Sequence, residues 1–257
     1  MTTGSVAIVT GASSGIGRAT ALRLARDFGV VVLAARDHDG LDGTAKAIRA
    51  EGAEAMVFAL DLREAASAKT IVEETLATHQ RIDALLNIAG AVPQIDLFTM
   101  TDAQWDDGMA LKFHGARRLT MRAWDALKAS RGSVVLMSGA AALEPTPGAA
   151  AVAAINAAIT ALAKAFAEQG ISDGVQVNSV SPGTVMTDRR RAFFEKWAPA
   201  HQMTVDQATE AFPSRIGVAR LGTPEDIADL MAYLVSPAAK WMTGSDVRID
   251  GGEIKTI

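Results

Sequence analysis

Short apolar runs rich in β-branched residues alternate with longer helical stretches along nearly the whole chain, and that alternation leaves few folds open. "SVAIVT" precedes a helical pattern over Ile16–Phe28, "VVVLAA" precedes Leu41–Glu51, and "AMVFAL" precedes Glu64–Gln80. The rhythm continues through "IDALLN", a helical Asp102–Lys128, "SVVLMS", Gly148–Gln169 and "VQVNSV". Strands that are apolar at successive positions are covered on both faces, and helices between them make the sheet parallel. The expectation is a doubly wound α/β fold. With 257 residues and 49% hydrophobic content, one core suffices, so residues 1–257 read as a single domain.

A last helix opens at "TPEDIADL", with Thr223 as N-cap and Pro224 in the first turn, and leads to a strand at "DVRID". Ahead of it, Thr187–Arg220 breaks the rhythm and carries Phe193, Phe194, Trp197, Phe212 and Pro213. Ligands of open α/β sheets bind beyond the carboxyl ends of the strands, so residues 187–220 read as an irregular lid over a substrate. Its aromatics either line an apolar pocket or hold the lid down.

A net charge of -4 with 21% charged residues gives no attraction for phosphate backbones. Nucleic acid is therefore excluded as the expected partner and a small-molecule substrate favoured. Without cysteine the chain has no disulfides and no thiolate metal site. The start, "MTTGSVAIVT", shows no basic segment followed by a long apolar one, which points to a cytoplasmic protein. The alanine-rich Gly148–Ala163 run, interrupted by Asn156, reads as a buried helix rather than a membrane span.

In "VAIVTGASSGIGRAT", Gly11, Gly15 and Gly17 fall between the first strand and the first helix. Glycines there allow a tight turn and let backbone N–H groups approach a diphosphate at a helix N-terminus. At these residues the sequence resembles the short-chain dehydrogenase/reductase family, whose TGxxxGxG spacing matches Thr10–Gly17. The likeness extends over nearly the whole chain: "LDL" around Asp61, "NIAG" at Asn87–Gly90, "NSVSPGTVMT" at Asn178–Thr187, and the closing "DGG".

The resemblance implies a Rossmann-type fold, a homotetramer or homodimer, and a dinucleotide site. That site would comprise Gly11, Ser13, Ser14, Gly15, Ile16 and Gly17, with Asp61 and Leu62 at the adenine, Asn87, Ala89 and Gly90, and Pro182, Gly183, Val185 and Thr187 at the nicotinamide. Cofactor choice is read where the second strand ends. Ala35 holds the position of the usual acid and Arg36 follows it, an arrangement suited to a 2'-phosphate and hence to NADP(H) over NAD(H).

The carbonyl chemistry of the family rests on serine, tyrosine and lysine, with an asparagine on a preceding helix. Ser138 matches the serine. Thirteen residues on, at the tyrosine position, stands Ala151, and at the lysine position Ile155; the chain's one tyrosine is the distant Tyr233. Trp105 and Gly115 bracket the asparagine position, which holds Lys112.

Lysine and tyrosine have similar pKa values, near 10, so Lys112 is the candidate replacement acid beside Ser138. The plainer reading has Lys112 reaching solvent or pairing with Asp106 or Asp107. Glu144 is a second candidate acid, or else an exposed turn carboxylate. His114 reads as structural or solvated, and Asn156 as packed in a helix interface. The run Arg189–Arg191 either meets an anionic substrate or CoA phosphate, or is a solvated charge cluster.

Three functions stay open. The first is an atypical NADP(H)-dependent oxidoreductase moving hydride to or from a small carbonyl or alcohol, with Ser138 binding the oxyanion and Lys112 assisting. The second is an NADP(H)-binding sensor without catalysis. The third is a non-redox lyase or isomerase.

Overall fold

The computed structural model describes residues 2–256, so Met1 and Ile257 lie outside the described residues. Seven strands form one parallel sheet: β1 (Thr2–Thr10), β2 (Phe28–Ala35), β3 (Glu54–Ala59), β4 (Ala84–Asn87), β5 (Ser133–Met137), β6 (Gln176–Pro182) and β7 (Asp246–Ile249). Their order is β3-β2-β1-β4-β5-β6-β7, and every neighbouring pair is parallel. The order reverses between β1 and β4, which opens a crevice beyond their carboxyl ends.

Alternation along each strand divides the core. On one face Ala7 and Val9 of β1 join Val31 and Leu33 of β2 under α1 (Gly15–Leu24), α2 (His38–Ala50) and α9 (Pro224–Leu234). On the other, Val6 and Ile8 join Val30 and Val32 under α3 (Ala65–His79), α5 (Ala116–Ser130) and α6 (Ala150–Asp173). The central strands β4, β5 and β6 are buried at every position, as uninterrupted apolar strands require. The first helix is shorter than its sequence pattern: it ends at Leu24, and Phe28 already belongs to β2.

Two sequence expectations change. The stretch expected as one helix over Asp102–Lys128 is α4 (Asp102–Gly108), a π-helical segment at Met109–Gly115, and α5. Gly108 and Gly115 flank Lys112 at the two ends of that segment, where side chains are absent and neighbours come close. A Cβ on Gly108 would meet Ile155 Cδ1 at 3.0 Å, and one on Gly115 would meet Leu62 at 3.2 Å.

The region expected to be irregular, 187–220, contains α7 (Asp188–Ala200) and α8 (Val205–Ile216). Thr187 caps the first by accepting from the Arg190 N–H, and Thr204 with Gln207 forms a capping box on the second. Pro199 and Pro213 sit inside these helices. Phe194, fully buried, and Phe193, Trp197 and Phe212 pack together in a small core of their own, Phe193 stacked on Trp197 and Phe194 edge-to-face with Phe193 and Phe212. These aromatics therefore hold α7 to α8.

Helix α6 with the turn before it, Pro147–Asp173, is long and apolar enough to cross a membrane by composition, with 33% of its most apolar stretch buried. In this fold Ala151, Ile155, Ile159 and Ala163 are buried, the last two in the core beneath the sheet, whereas Ala154, Ala157, Ala161 and Ala165 are exposed. It is a one-sided helix rather than a wholly buried one.

Candidate active site

The carboxyl end of β1 turns sharply. Gly11 (φ +69°) and Gly15 (φ +51°) adopt left-handed backbone that side chains resist, and a Cβ on Gly17 would lie 2.1 Å from the Gly11 carbonyl oxygen. These glycines bring the start of α1 against the strand end and form one wall of a cavity of about 410 Å³. Ser13, Ser14 and Ile16 complete that wall. Arg36 stands at the end of β2, Asp61 and Leu62 follow β3, Ala89 and Gly90 follow β4, and Thr187 caps the far side.

A helix N-terminus, glycine-lined for close approach, fits a diphosphate. Asp37 is the carboxylate nearest Arg36 in sequence, and its side chain caps α2 by accepting the Gly40 N–H at 3.2 Å. The mostly exposed Arg36 guanidinium lies 3.8 Å from Asp61 and is available to a phosphate.

Four residues expected at the cofactor do not line this cavity. Asn87 is buried and donates to Thr120 Oγ1 at 3.0 Å, which turns its amide into the core. The adjoining turn is held by Thr10, whose hydroxyl accepts the N–H groups of Ile88 and Ala89. Pro182 lies within β6, and Gly183 donates its N–H to the Ile249 carbonyl at 3.0 Å. Val185 is buried in a bridge to Gly222.

Lys112 lines the cavity floor from the π-helical segment. Its stem passes Gly90 so closely that a Cβ there would meet Lys112 Cδ at 3.0 Å. The ammonium donates to the backbone carbonyl of Ser138 at 3.0 Å and, through a short hydrogen bond, to Asn156 Oδ1. Asp107, a carboxylate that could have drawn it outward, is instead bound by Arg63 at 2.5 Å. Loss of water, and secondarily the charge of Arg189, push the Lys112 pKa down to about 7.

Ser138 is 4% exposed. Its hydroxyl donates to the Asn156 carbonyl at 2.9 Å and accepts from Thr160 Oγ1 at 3.0 Å, so it is directed into α6. Ala151 and Ile155 are buried at 2% and 1%. Glu144 is exposed on its loop. Desolvation, with the charges of Arg117 and Arg118, lowers the His114 pKa.

Sequence reasoning placed Asn156 in a helix interface. The structure gives that interface a polar function, because the residue beside Ile155 meets Lys112 across it. Its adjacency to the lysine position was the available signal. Arg189, left among a charged run, donates to the Gly90 carbonyl at 2.9 Å and borders the cavity.

An all-parallel sheet with a glycine cradle at its reversal point defines a dinucleotide-binding α/β protein. Residues 11–253 match the family model described as enoyl-(acyl carrier protein) reductase, and the chain belongs to the short-chain dehydrogenase/reductase family. It is 32% identical over 253 residues, 97% of each chain, to the ketoacyl reductase assigned to the monensin polyketide synthase of Streptomyces virginiae. It is 30% identical over 252 residues, again 97% of each chain, to the 3-oxoacyl-(acyl-carrier-protein) reductase of Thermotoga maritima. Among solved structures, L-sorbose reductase of Gluconobacter frateurii, complexed with NADPH and L-sorbose, superposes with a TM-score of 0.95 at 25% identity, covering 99% of this chain and 98% of that one. A variant of the actinorhodin polyketide ketoreductase with NADPH gives 0.92 at 27% identity, covering 98% and 99%.

Proposed function

We propose that this protein is an NADP(H)-dependent oxidoreductase acting on a small carbonyl compound or the corresponding alcohol, with an atypical acid. The carrying observation is the Lys112 ammonium, tethered beside the cavity that Lys112 lines, while the buried Ala151 and Ile155 offer no titratable group. The glycine turn and the N-terminus of α1 would hold the cofactor diphosphate, Arg36 its 2'-phosphate, Asp61 and Leu62 the adenine side, and Ala89, Gly90 and Thr187 the nicotinamide side. When bound, the nicotinamide supplies or accepts hydride.

In reduction, Lys112 donates a hydrogen bond to the substrate oxygen and then the proton that converts the alkoxide to alcohol. Its lowered pKa makes that transfer easier than from an ordinary lysine. Ser138 contributes through its carbonyl, which anchors Lys112, and through its hydroxyl once that group turns from Asn156 to the oxyanion. General acid help of this kind is worth about 10²- to 10⁴-fold.

The test is NADPH oxidation by purified protein with a panel of ketones, oxo esters and ketoses, repeated with Lys112→Ala and Ser138→Ala. Steep loss in both variants is expected; full activity in both removes the reading.

The present orientation of the Ser138 hydroxyl favours a second reading, cofactor binding without turnover, as in a sensor of NADPH. Tight NADPH binding with no oxidation across the panel would select it. The exposed alanine stripe of α6 suits close packing in the proposed homotetramer or homodimer, to be measured by light scattering. We place the protein in the cytoplasm, testable by fractionation.

A further inference from the structure

We infer that Asn156 is the positioning residue of this site: its amide oxygen and the Ser138 carbonyl fix the Lys112 ammonium on the cavity floor with the remaining N–H turned toward the cavity. The inference deepens the oxidoreductase reading and rests on it for its catalytic meaning.

An ammonium has three donors and no acceptor, so two neutral acceptors leave one donor for a ligand. Here those acceptors come from different elements, the carboxyl end of β5 and the middle of α6. A lysine stem is long and flexible, and a single tether would leave its tip mobile; two tethers fix it. Asn156 itself is 3% exposed and has little freedom. Its own carbonyl accepts from the hydroxyls of Ser138 (2.9 Å) and Thr160 (3.3 Å). Its Nδ2 lies against bare backbone, since a Cβ on Gly139 would approach it to 2.6 Å. Gly139 therefore leaves the space that this amide fills.

Both acceptors are uncharged, and that is informative. A carboxylate at 156 would hold the ammonium as well but would also raise its pKa, leaving it a poorer acid. The amide holds the group without opposing the effect of burial. From the elements around it, Lys112 is faced by Arg189 of α7 as the charge that depresses its pKa. Asp188 beside Arg189, and Arg36, Asp37 and Asp61 on the other wall, line the same cavity. Asp107 is held by Arg63.

The test reads Lys112 directly, by NMR titration of the intact protein labelled with ¹³C,¹⁵N-lysine, the signal being assigned by its loss in Lys112→Met. Asn156→Asp, the same size, is expected to raise the Lys112 midpoint by about one unit or more, a tenfold change in proton affinity. Gly139→Ala, which keeps every side chain of the network but displaces the amide, is expected to lower it. In both, the pH limb of kcat for carbonyl reduction should move with the NMR midpoint while the NADPH Kd stays fixed. Unchanged Lys112 midpoints in two folded variants overturn the inference. Absence of turnover in the unmodified protein would instead sink the oxidoreductase reading, and the NMR result would still decide whether Asn156 positions Lys112.

Discussion

Arg189, on the first turn of α7, donates from its guanidinium to the backbone carbonyl of Gly90 at 2.9 Å, joining α7 to the loop after β4 beside the Lys112 stem. One residue thus ties α7 to that loop and contributes positive charge at the same cavity. Arg189→Met should therefore do two things. Removing the charge raises the Lys112 pKa, because Arg189 depresses it, and shifts the pH limb of reduction upward. Loss of the tether loosens α7, seen as faster backbone amide exchange at residues 188–200. A limb that stays in place would show that Arg189 and Lys112 do not interact.

Lys112 must be protonated to act as an acid. With its pKa near 7, kcat/KM for carbonyl reduction should fall above pH 7, approaching tenfold per unit, while alcohol oxidation rises over the same range. Stability follows from the same shift. The folded pKa lies below the unfolded value of 10.5, so the unfolded chain binds more protons between about pH 7 and 10.5, and stability rises with pH across that window. Lys112→Met should remove this slope and, at pH 7, stabilise the protein by on the order of 1–2 kcal/mol. Urea unfolding at pH 7 and pH 9 checks both statements.

Arg36 is the charge available to a 2'-phosphate, with Ala35 in place of an acid. Arg36→Ala should weaken NADPH roughly ten- to hundredfold, about 1.4–2.8 kcal/mol, and leave NADH nearly unchanged. Ala35→Asp with Arg36→Ala should invert the preference. Calorimetric titration with the two cofactors decides it, and equal losses for both would dismiss Arg36 as the discriminator.

Ile155 is 1% exposed, and its Cδ1 sits where a Cβ on Gly108 would come within 3.0 Å. Ile155→Lys alone buries a second cation near Lys112 and should cost about 2–4 kcal/mol. Adding Lys112→Asn and Ala151→Tyr gives the new lysine and a phenol each other as neighbours one helical turn apart. The triple variant should regain part of the lost stability and show ketone reduction with a different pH limb. Thermal unfolding and NADPH oxidation test the two halves separately.

The parallel sheet was readable because strands buried on both faces have no alternative to continuous apolar runs, and the glycine turn because close backbone approach admits no side chain at Gly17. The two helices within 187–220 were not expected from the sequence, although the Thr204 and Gln207 capping pair was present there. Asn87, Pro182, Gly183 and Val185 were placed at the cofactor by likeness alone, and their side chains or backbone groups engage the core behind it. The direction of Lys112 was open in sequence for a different reason. It depends on the local winding of its helix and on Asn156, a contact between residues far apart in the chain that no periodicity announces.

The π-helical segment at Met109–Gly115 acts as a phase shifter. Each residue of an α-helix turns it by about 100°, and a π turn takes in an extra residue, so side chains beyond it point elsewhere than a continuous α-helix would aim them. The orientation of Lys112 is thereby uncoupled from the apolar stripe that seats α5 on the sheet. Such a helix can exchange one reactive group for another at position 112 without moving the core. Deleting a single residue between Met109 and Lys112 would rewind the segment and swing the lysine away from the cavity while α5 kept its seat. In this chain, the identity of the side chain at position 112 is thus a local property of one helical turn, and the sheet beneath is indifferent to it.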